Sequence, residues 1–224
     1  MPTVLITGAS RGLGLEFVKQ FADEKWDIIA TCRNPGTINN LSVLQKHEMF
    51  ALDVTNSDSV LELKSNLENR PIDVLINNAG IIGQRDGFGT LDYTAWANAM
   101  DTNVYGPMRV AEALVDNVLK SDRKQMIFIT SRMGSITETS PNAYVYRSSK
   151  AALNMAVKCM SLELDNKGLT AILFHPGHVQ TDMGGVTAPV TPKASIAGMK
   201  KQLLKFTQDD NGKFLSYDGT SIPW

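Results

Sequence analysis

The sequence predicts a doubly wound α/β domain built on a parallel sheet. Short apolar runs with β-branched residues alternate along the chain with longer segments of helical pattern. The apolar runs lack the alternation of a half-exposed strand, as expected when both faces of a sheet are covered. Alternating strands and helices imply parallel strands joined by right-handed crossovers. The 224 residues contain no internal repeat and no inter-domain linker, so one domain over residues 1–224 is expected.

Six strands and four helices follow from this pattern. The strands are expected at residues 4–7, 27–31, 49–52, 74–76, 126–130 and 170–174. The helices are expected at residues 13–25, 57–69, 94–119 and 143–166. Polar residues at 56–59 offer an N-cap to the second helix, and Gly168 offers a C-cap to the fourth.

Composition excludes several classes of protein. The net charge is −1 and Lys and Arg are not clustered, so no nucleic-acid partner is expected. Only Cys32 and Cys159 are present, too few for a disulfide framework or a zinc site, and both are expected to stay reduced. The chain enters its first strand without the pattern of a signal peptide, and no stretch approaches the ~20 apolar residues of a membrane span. We therefore expect a soluble, cytoplasmic protein with no membrane partner.

A glycine-rich turn follows the first strand. Gly8, Gly12 and Gly14 open the first helix, where missing side chains let backbone N–H groups approach a pyrophosphate. The spacing is Gly-x-x-x-Gly-x-Gly, which differs from the commoner dinucleotide fingerprint. A glycine turn without a ligand is the alternative, but the position at the first strand–helix junction favours nucleotide binding.

The residues after the second and third strands bear on cofactor choice. Arg33 stands where an NAD site usually carries a carboxylate, and Arg11 is a second cation inside the glycine turn. Arginine suits a 2′-phosphate, so NADP(H) is predicted over NAD(H), unless both are merely surface arginines. Asp53 can accept a hydrogen bond from an adenine amino group or serve as an ordinary helix cap.

Tyr146 and Lys150 lie four residues apart in the last predicted helix, on one helix face. A pair with this spacing also describes an ordinary tyrosine and lysine. Tyr144 has Ser148 four residues on, so it lacks the lysine, and Ser148 and Ser149 are expected to pack or cap. The surrounding segments therefore decide the interpretation of the pair.

Six ordered segments resemble the motifs of the short-chain dehydrogenase/reductase family over nearly the whole chain. They are TGASRGLG at 7–14, NNAG at 77–80, DTNVYG at 101–106, ITSRMG at 129–134, the Tyr146/Lys150 pair and HPGHVQTD at 175–182. The segments at 131–135, 146–154 and 217–224 are similar to the C-factor/sniffer-type branch of carbonyl reductases. The resemblance implies a single Rossmann-type doubly wound domain with about seven parallel strands and helices on both faces.

The resemblance also implies a catalytic set of four residues. Tyr146 would exchange a proton with the substrate oxygen; a free tyrosine titrates near pH ~10, and a cation at Lys150 favours phenolate. Lys150 would also hold the nicotinamide ribose. Ser131 would hydrogen-bond the developing alkoxide. The side chain of Asn103 would position water near Lys150.

By the same resemblance and the turn chemistry, the cofactor is expected to contact a broader set of residues. They are Gly8, Ser10, Arg11, Gly12, Leu13, Gly14, Arg33, Asp53, Val54, Asn78, Ala79, Gly80, Tyr146, Lys150, Pro176, Gly177, Val179 and Thr181. The spacing from Ser131 to Tyr146 is slightly longer than is usual in the family, so Ser135 is a lesser alternative as alkoxide donor.

Two loops and two methionines are expected to surround the substrate. Residues 184–200 are predicted as a substrate lid, with a plain surface loop as the alternative. The loops 81–89 and 184–195 would decide the substrate, and Met133 and Met183 are candidates for its wall. His175 and His178 lack a third ligand, so no metal is expected.

These observations predict an NADPH-dependent oxidoreductase that reduces a ketone or aldehyde, a small-molecule carbonyl substrate, to its alcohol. An NAD(P)-linked alcohol dehydrogenase running in oxidation is one alternative. An NADP(H)-binding regulatory or signalling protein of the C-factor type, with little turnover, is another. The resemblance implies a homodimer or homotetramer built on the helices at 94–119 and 143–166.

Overall fold

Seven parallel strands form one sheet in the computed structural model of the chain, which describes residues 1–37, 47–83 and 87–224. Their order is β3-β2-β1-β4-β5-β6-β7. The strands are β1 Thr3–Ile6, β2 Asp27–Cys32, β3 His47–Ala51, β4 Val74–Asn77, β5 Gln125–Ile129, β6 Thr170–His175 and β7 Phe214–Ser216. The strand order reverses at β1, which lies between β2 and β4, so a crevice opens there at the carboxyl ends of the strands.

Helices cover both faces of this sheet. They are α1 Gly12–Asp23, α2 Ser57–Leu67, α3 Tyr93–Met100, α4 Gly106–Leu119, α5 Tyr144–Glu163 and α6 Pro192–Leu203. Successive strand residues point to opposite faces, so Leu5 packs with α2, α4 and α5, whereas Ile6 packs with α1 and α6. Both faces are therefore apolar, which confirms the doubly wound prediction and explains the continuous apolar runs.

One long predicted helix is interrupted in the structure. The predicted segment 94–119 consists of α3, a π-helical turn at Asp101–Tyr105 and α4. The Gly106 N–H donates to the carbonyl of Asp101, five residues back. Pro107 follows and has no N–H, so it cannot donate to the Asn103 carbonyl four residues before it. A π-turn of this kind is frequent at functional sites.

The other predicted elements are present with ends displaced by a few residues. Asn56 caps α2 by accepting from the N–H groups of Asp58 and Ser59 at 2.9 and 3.2 Å. Gly168 adopts the left-handed conformation after the last turn that follows α5. Strand β7 and helix α6 had no located counterpart in the sequence prediction.

The segment predicted as a substrate lid is only partly irregular. Its second part, from Pro192, belongs to α6, where Ile196 and Met199 are buried against the sheet. The lid hypothesis therefore rests on 184–191. Residues 84–86 of the other predicted substrate loop, 81–89, lie outside the described residues. No helix in the described part of the chain is both long and apolar enough to cross a membrane.

Candidate active site

A cleft of about 530 Å³ occupies the crevice at the carboxyl ends of the strands. Its walls come from the turn after β1, the ends of β2 to β6 and the start of α5. Most of the residues predicted to contact the cofactor line it. They are Gly8, Ser10, Arg11, Gly12, Leu13, Arg33, Asp53, Val54, Asn78, Ala79, Gly80, Tyr146, Lys150, Pro176 and Thr181.

The turn after β1 is held in shape by the segment after β4. Thr7 Oγ1 accepts from the N–H groups of Asn78 and Ala79, both at 3.0 Å, and Asn78 Nδ2 donates to the Thr7 carbonyl at 2.9 Å. A Cβ at Gly14 would lie 2.2 Å from the Gly8 carbonyl oxygen, so only glycine fits there. Gly14 is buried and is not among the cleft walls. Its role in this structure is to let the turn close on itself.

The amino end of α1 faces this cleft without a capping side chain. Arg11 is the N-cap residue and makes no side-chain capping bond, whereas Asn56, Asp92 and Thr191 cap α2, α3 and α6. The first N–H groups of a helix lack partners within the helix and favour anions. The uncapped end of α1 therefore fits a phosphate group of a dinucleotide.

Arg33 and Asp53 lie at the far end of the cleft, after β2 and β3. Asp53 Oδ1 accepts from the Thr55 hydroxyl at 2.7 Å and from the Thr55 N–H at 3.0 Å. These two bonds, with a smaller contribution from Arg33, hold the pKa of the Asp53 carboxyl below its usual value. Asp53 closes a local turn and does not cap α2, because Asn56 takes that position.

Arg11 makes an ion pair that its sequence position does not reveal. Its Nη1 lies 2.9 Å from Asp182 Oδ2, and both side chains are largely exposed. The pair joins the glycine turn to the segment after β6 across the mouth of the cleft. An exposed ion pair contributes little stability, so it leaves Arg11 available to a phosphate that binds more strongly.

Tyr146 and Lys150 lie in the first two turns of α5, and both side chains are buried. Lys150 Nζ donates to the Ile129 carbonyl at 2.9 Å and lies 5.7 Å from the centre of the Tyr146 ring. Burial lowers the pKa of Lys150 to about 8. The ammonium is therefore poorly solvated and lies beside the phenol that it was predicted to influence.

Ser131 follows β5 and faces a second cleft, of about 620 Å³. Its hydroxyl accepts from the Met133 N–H at 3.1 Å. A Cβ at Gly134 would lie 2.8 Å from the Lys150 backbone, so glycine lets this segment approach α5 closely. The Ser135 hydroxyl instead accepts from the Glu138 N–H at 3.1 Å, and Ser135 is not among the walls of either cleft.

Asn103 lies in the π-turn, and both the oxygen and the nitrogen of its side chain form hydrogen bonds. Oδ1 accepts from the Ile81 N–H at 2.8 Å, while Nδ2 donates to the Ile81 carbonyl at 2.8 Å and to Ser149 Oγ at 3.0 Å. Both amide hydrogens are thus used within the protein, whereas Oδ1 keeps a second lone pair, so the role of this side chain in positioning water stays a prediction. Asn103 fixes the strand-end segment at Ile81 beside Lys150, and it is not among the walls of either cleft.

The second cleft contains both methionines that were predicted at the substrate wall, Met133 and Met183. Gly177 and Val179, which were predicted to contact the cofactor, line this second cleft and not the first. Burial lowers the pKa of His175 to about 4, so its ring is neutral near pH 7. In residues 1–37, 47–83 and 87–224, no group of three or more metal-ligand side chains is found.

Sequence reasoning missed several residues of the two clefts. Asn98, Asp101 and Thr102 line the first cleft, and the π-turn that places the last two is signalled only by Pro107. In the second cleft the missed residues are Thr130, Arg132, Glu138, Pro141, Asn142, Ala143 and Arg147, whereas Ile82 and Gly184 belong to the two loops predicted to decide the substrate. Arg147 had a signal, because it lies between Tyr146 and Lys150.

The chain belongs to the short-chain dehydrogenase family, an oxidoreductase family whose model matches residues 2–189. C-signal of Myxococcus xanthus is 42% identical over 161 residues, which are 71% of this chain and 97% of that protein. The carbonyl reductase Sniffer of D. melanogaster has a TM-score of 0.92 and 30% identity, with 100% of both chains covered. The NADPH-bound carbonyl reductase from chicken fatty liver also has a TM-score of 0.92 and 30% identity, covering 100% of this chain and 94% of that one.

Burial of Lys150 predicts a specific pH dependence of stability. Because its pKa is lowered to about 8 in the folded chain from 10.5, the unfolded chain binds more protons between these values. Stability then rises with pH in this window. The unfolding free energy of the wild type minus that of Lys150→Met should therefore increase from pH ~7 to ~10, by up to about 3 kcal/mol.

Urea unfolding of both proteins without cofactor at several pH values measures this difference. Lys19→Met, which removes an exposed lysine of α1, controls for loss of a lysine as such. A constant difference between wild type and Lys150→Met over the whole range would show that the Lys150 ammonium is well solvated.

Proposed function

We propose that this chain is an NADPH-dependent reductase that converts a ketone or aldehyde into an alcohol. The observation that carries the proposal is the position of Tyr146, which lines both clefts. Lys150 lines only the first cleft and Ser131 only the second. The phenol therefore stands between a site suited to a dinucleotide and a site suited to a carbonyl compound.

Tyr146 is the proposed general acid in reduction. Its hydroxyl would donate a proton to the carbonyl oxygen as negative charge develops there, and in oxidation it would take the proton back. The Ser131 hydroxyl would donate a second hydrogen bond to the same oxygen. Ser131 is preferred to Ser135 because it lines the second cleft with Tyr146, whereas the Ser135 hydroxyl is bonded within its own turn.

Lys150 supports the proton transfer through its charge. The ammonium is 5.7 Å from the Tyr146 ring, and a cation at that distance in a buried site favours phenolate. The hydrogen bond from Lys150 Nζ to the Ile129 carbonyl fixes the lysine side chain. This bond uses one of three ammonium hydrogens, so others are left for a ribose hydroxyl. NADPH, when bound, supplies the hydride, and the chain orients the reacting groups.

Asn103 would act through its backbone and through Ile81. The Asn103 side chain forms two hydrogen bonds with the backbone of Ile81. The residue before Ile81 is Gly80, and a Cβ at Gly80 would lie 3.2 Å from Asn103 Oδ1 and 3.7 Å from Lys150 Nζ. The backbone carbonyl of Asn103 accepts no hydrogen bond from Pro107, which has no N–H. We propose that this carbonyl holds the water that connects Lys150 with solvent.

Selectivity for NADPH is assigned to Arg33 and Arg11. Both line the first cleft, Arg33 beside Asp53 and Arg11 at the uncapped end of α1. A guanidinium group forms strong, directional contacts with a phosphate. The fit of two arginines to a 2′-phosphate supports NADPH, and the NADPH-bound neighbour from chicken supports the same cofactor. Asp53 is the proposed acceptor for the adenine amino group.

The second cleft fits a largely apolar carbonyl compound. Met133, Met183 and Ile82 supply apolar wall, and Tyr146 and Ser131 supply the donors that fix a carbonyl oxygen. Met183 and Gly184 connect this wall to the segment 184–191, where Val186 is 90% exposed. We propose that closure of 184–191 over the substrate excludes water from the reaction.

A regulatory NADP(H)-binding protein is the second candidate. The 42% identity with C-signal, whose name denotes a signal, favours this alternative. Both candidates require the first cleft to bind cofactor, but only the reductase requires Tyr146, Ser131 and Lys150 to act on a second molecule. Turnover therefore separates the two.

Self-association and a cytoplasmic location remain predictions. Homodimer or homotetramer formation through α4 and α5 is supported by exposed apolar side chains on α5, where Met155 and Leu162 are 65% and 67% exposed. Such side chains on one helix face suit contact with another copy of the chain.

Removal of the Tyr146 hydroxyl tests the proposed reaction. Tyr146→Phe keeps the ring, so folding and NADPH binding should persist. Carbonyl reduction should fall by at least about 10²–10⁴-fold, because the general acid is lost and the Ser131 hydrogen bond alone does not protonate the oxygen. Tyr144→Phe is the matched control: this tyrosine is partly exposed and contacts the Phe88 ring, with its centre 6.4 Å away.

Single-turnover oxidation of NADPH with both variants, together with NADPH fluorescence titration, supplies the measurement. If Tyr146→Phe reduced its best carbonyl substrate at nearly the wild-type rate, the mechanism would be wrong. The regulatory candidate would then become the preferred function.

Cofactor selectivity is tested by Arg33→Ala. This variant should bind NADPH more weakly by about 1–3 kcal/mol while NADH binding stays nearly unchanged, because only NADPH carries the 2′-phosphate. Arg123→Ala, which removes an arginine stacked over Trp26, is the control. Equal loss for both cofactors in the titration would show that Arg33 has a structural role.

A further inference from the structure

Two consecutive residues directly before α5 adopt the left-handed backbone conformation. Asn142 has φ 71° and Ala143 has φ 55°, and neither is glycine. The conformation is unfavourable for residues with a Cβ, although asparagine tolerates it better than alanine does. Two such residues in sequence persist only when their surroundings hold them, and such backbone clusters at functional sites.

The helix itself does not supply that support. Ala143 is the N-cap residue of the 20-residue α5 and makes no side-chain capping bond. Alanine is among the weakest N-cap residues, whereas glycine is well accepted there. The corner formed by Asn142 and Ala143 is therefore unfavourable for two reasons: both residues have positive φ angles, and neither of these residues is shown to cap α5 with its side chain.

Arg147 holds this corner from the first turns of α5. Its Nε donates to the Asn142 carbonyl at 3.2 Å, and its Nη2 donates to Ser140 Oγ at 2.5 Å. Its backbone N–H donates to the Ala143 carbonyl at 2.9 Å. Because the guanidinium group is planar and its donors have fixed directions, the two side-chain bonds set both the position and the orientation of the corner.

The same corner forms part of the second cleft. Pro141, Asn142 and Ala143 line it beside Tyr146 and Arg147. The other end of the loop is fixed separately, because Thr137 donates from its N–H and its hydroxyl to the Trp224 carbonyl at 2.9 and 2.6 Å. Arg147 thus fixes the end of the loop that adjoins Tyr146.

We propose that Arg147 is a positioning residue, which holds the left-handed corner so that the wall of the second cleft and the first turn bearing Tyr146 keep the geometry needed for carbonyl reduction. The inference rests on the proposed function. It assigns to Arg147 a role through the backbone, without contact with the substrate or the cofactor. Direct binding of an anionic substrate group by Arg147 is the competing role.

Arg147→Lys separates the two roles, because lysine keeps the charge and loses the planar fork. Held by a single flexible ammonium, the corner should loosen, and kcat/KM should fall roughly tenfold, the loss expected from one or two hydrogen bonds. Ala143→Gly in the same chain should restore most of the loss, since glycine adopts the left-handed conformation readily and caps a helix better than alanine. Arg70→Lys, at an ion pair with Glu48 outside both clefts, is the matched control.

Two readouts are needed. Steady-state kinetics with an uncharged carbonyl substrate and its carboxylate-bearing counterpart measures kcat and KM for each variant. Hydrogen exchange of the amides from 138 to 146, without cofactor or substrate, measures the corner independently of turnover. Arg147→Lys should speed exchange in this segment, and addition of Ala143→Gly should slow it again, with the same loss of kcat/KM for both substrates.

Three outcomes would overturn the proposal. Unchanged exchange in Arg147→Lys would show that Arg147 does not hold the corner. Direct anion binding would be shown by two results together: full activity of Arg147→Lys, and a loss confined to the carboxylate substrate in Arg147→Met, a further variant that removes the charge. Failure of Ala143→Gly to restore either readout would show that the corner conformation is not what Arg147 controls. If the wild type reduced no carbonyl at all, the proposed function would fail, and the exchange measurement would still decide whether Arg147 holds the corner.

Discussion

Burial of the Lys150 ammonium is the constraint on which the site depends. A cation taken out of water is stable only with good hydrogen bonds and close packing around it. The Ile129 carbonyl at the end of β5 supplies one such bond, at 2.9 Å. Gly134 lets its segment approach the lysine where a Cβ would lie 2.8 Å from the Lys150 backbone, and a Cβ at Gly80 would lie within ordinary contact distance of Lys150 Nζ. The segments that carry Ser131 and the NNAG motif are thereby brought to the same side chain.

The architecture of the sheet determines how much of the fold the sequence could reveal. Because both faces of β1, β2, β4, β5 and β6 are covered, these strands appear as apolar runs and were located within a few residues. The edge strand β3, in which no residue is fully buried, was also located within a few residues. Strand β7 has only three residues, Phe214–Ser216, which is too short to give a periodic signal. Helix α6 begins at Pro192 and contains Gly198, so its sequence is similar to that of a loop, and only its buried face against the sheet reveals it.

Site residues were predictable where a motif fixes a local geometry. The glycine turn, Arg33, Tyr146 and Lys150 lie around one cleft because each follows the end of a strand or opens a helix at the same edge of the sheet. Contacts between distant segments were not predictable. The pair of Arg11 with Asp182 joins residues 171 positions apart, and the bonds of Asn103 to Ile81 depend on a π-turn that interrupts a continuous helical pattern.

The proposed function depends on hydride transfer from NADPH to a carbonyl carbon at Tyr146. Its most direct test is incubation of the wild-type chain with NADPH deuterated at the transferring position and a panel of aldehydes and ketones, followed by mass spectrometry of the products. We expect an alcohol that carries the deuterium on the former carbonyl carbon and a hydroxyl proton from solvent. Saturable NADPH binding with no deuterated alcohol from any member of the panel would contradict it.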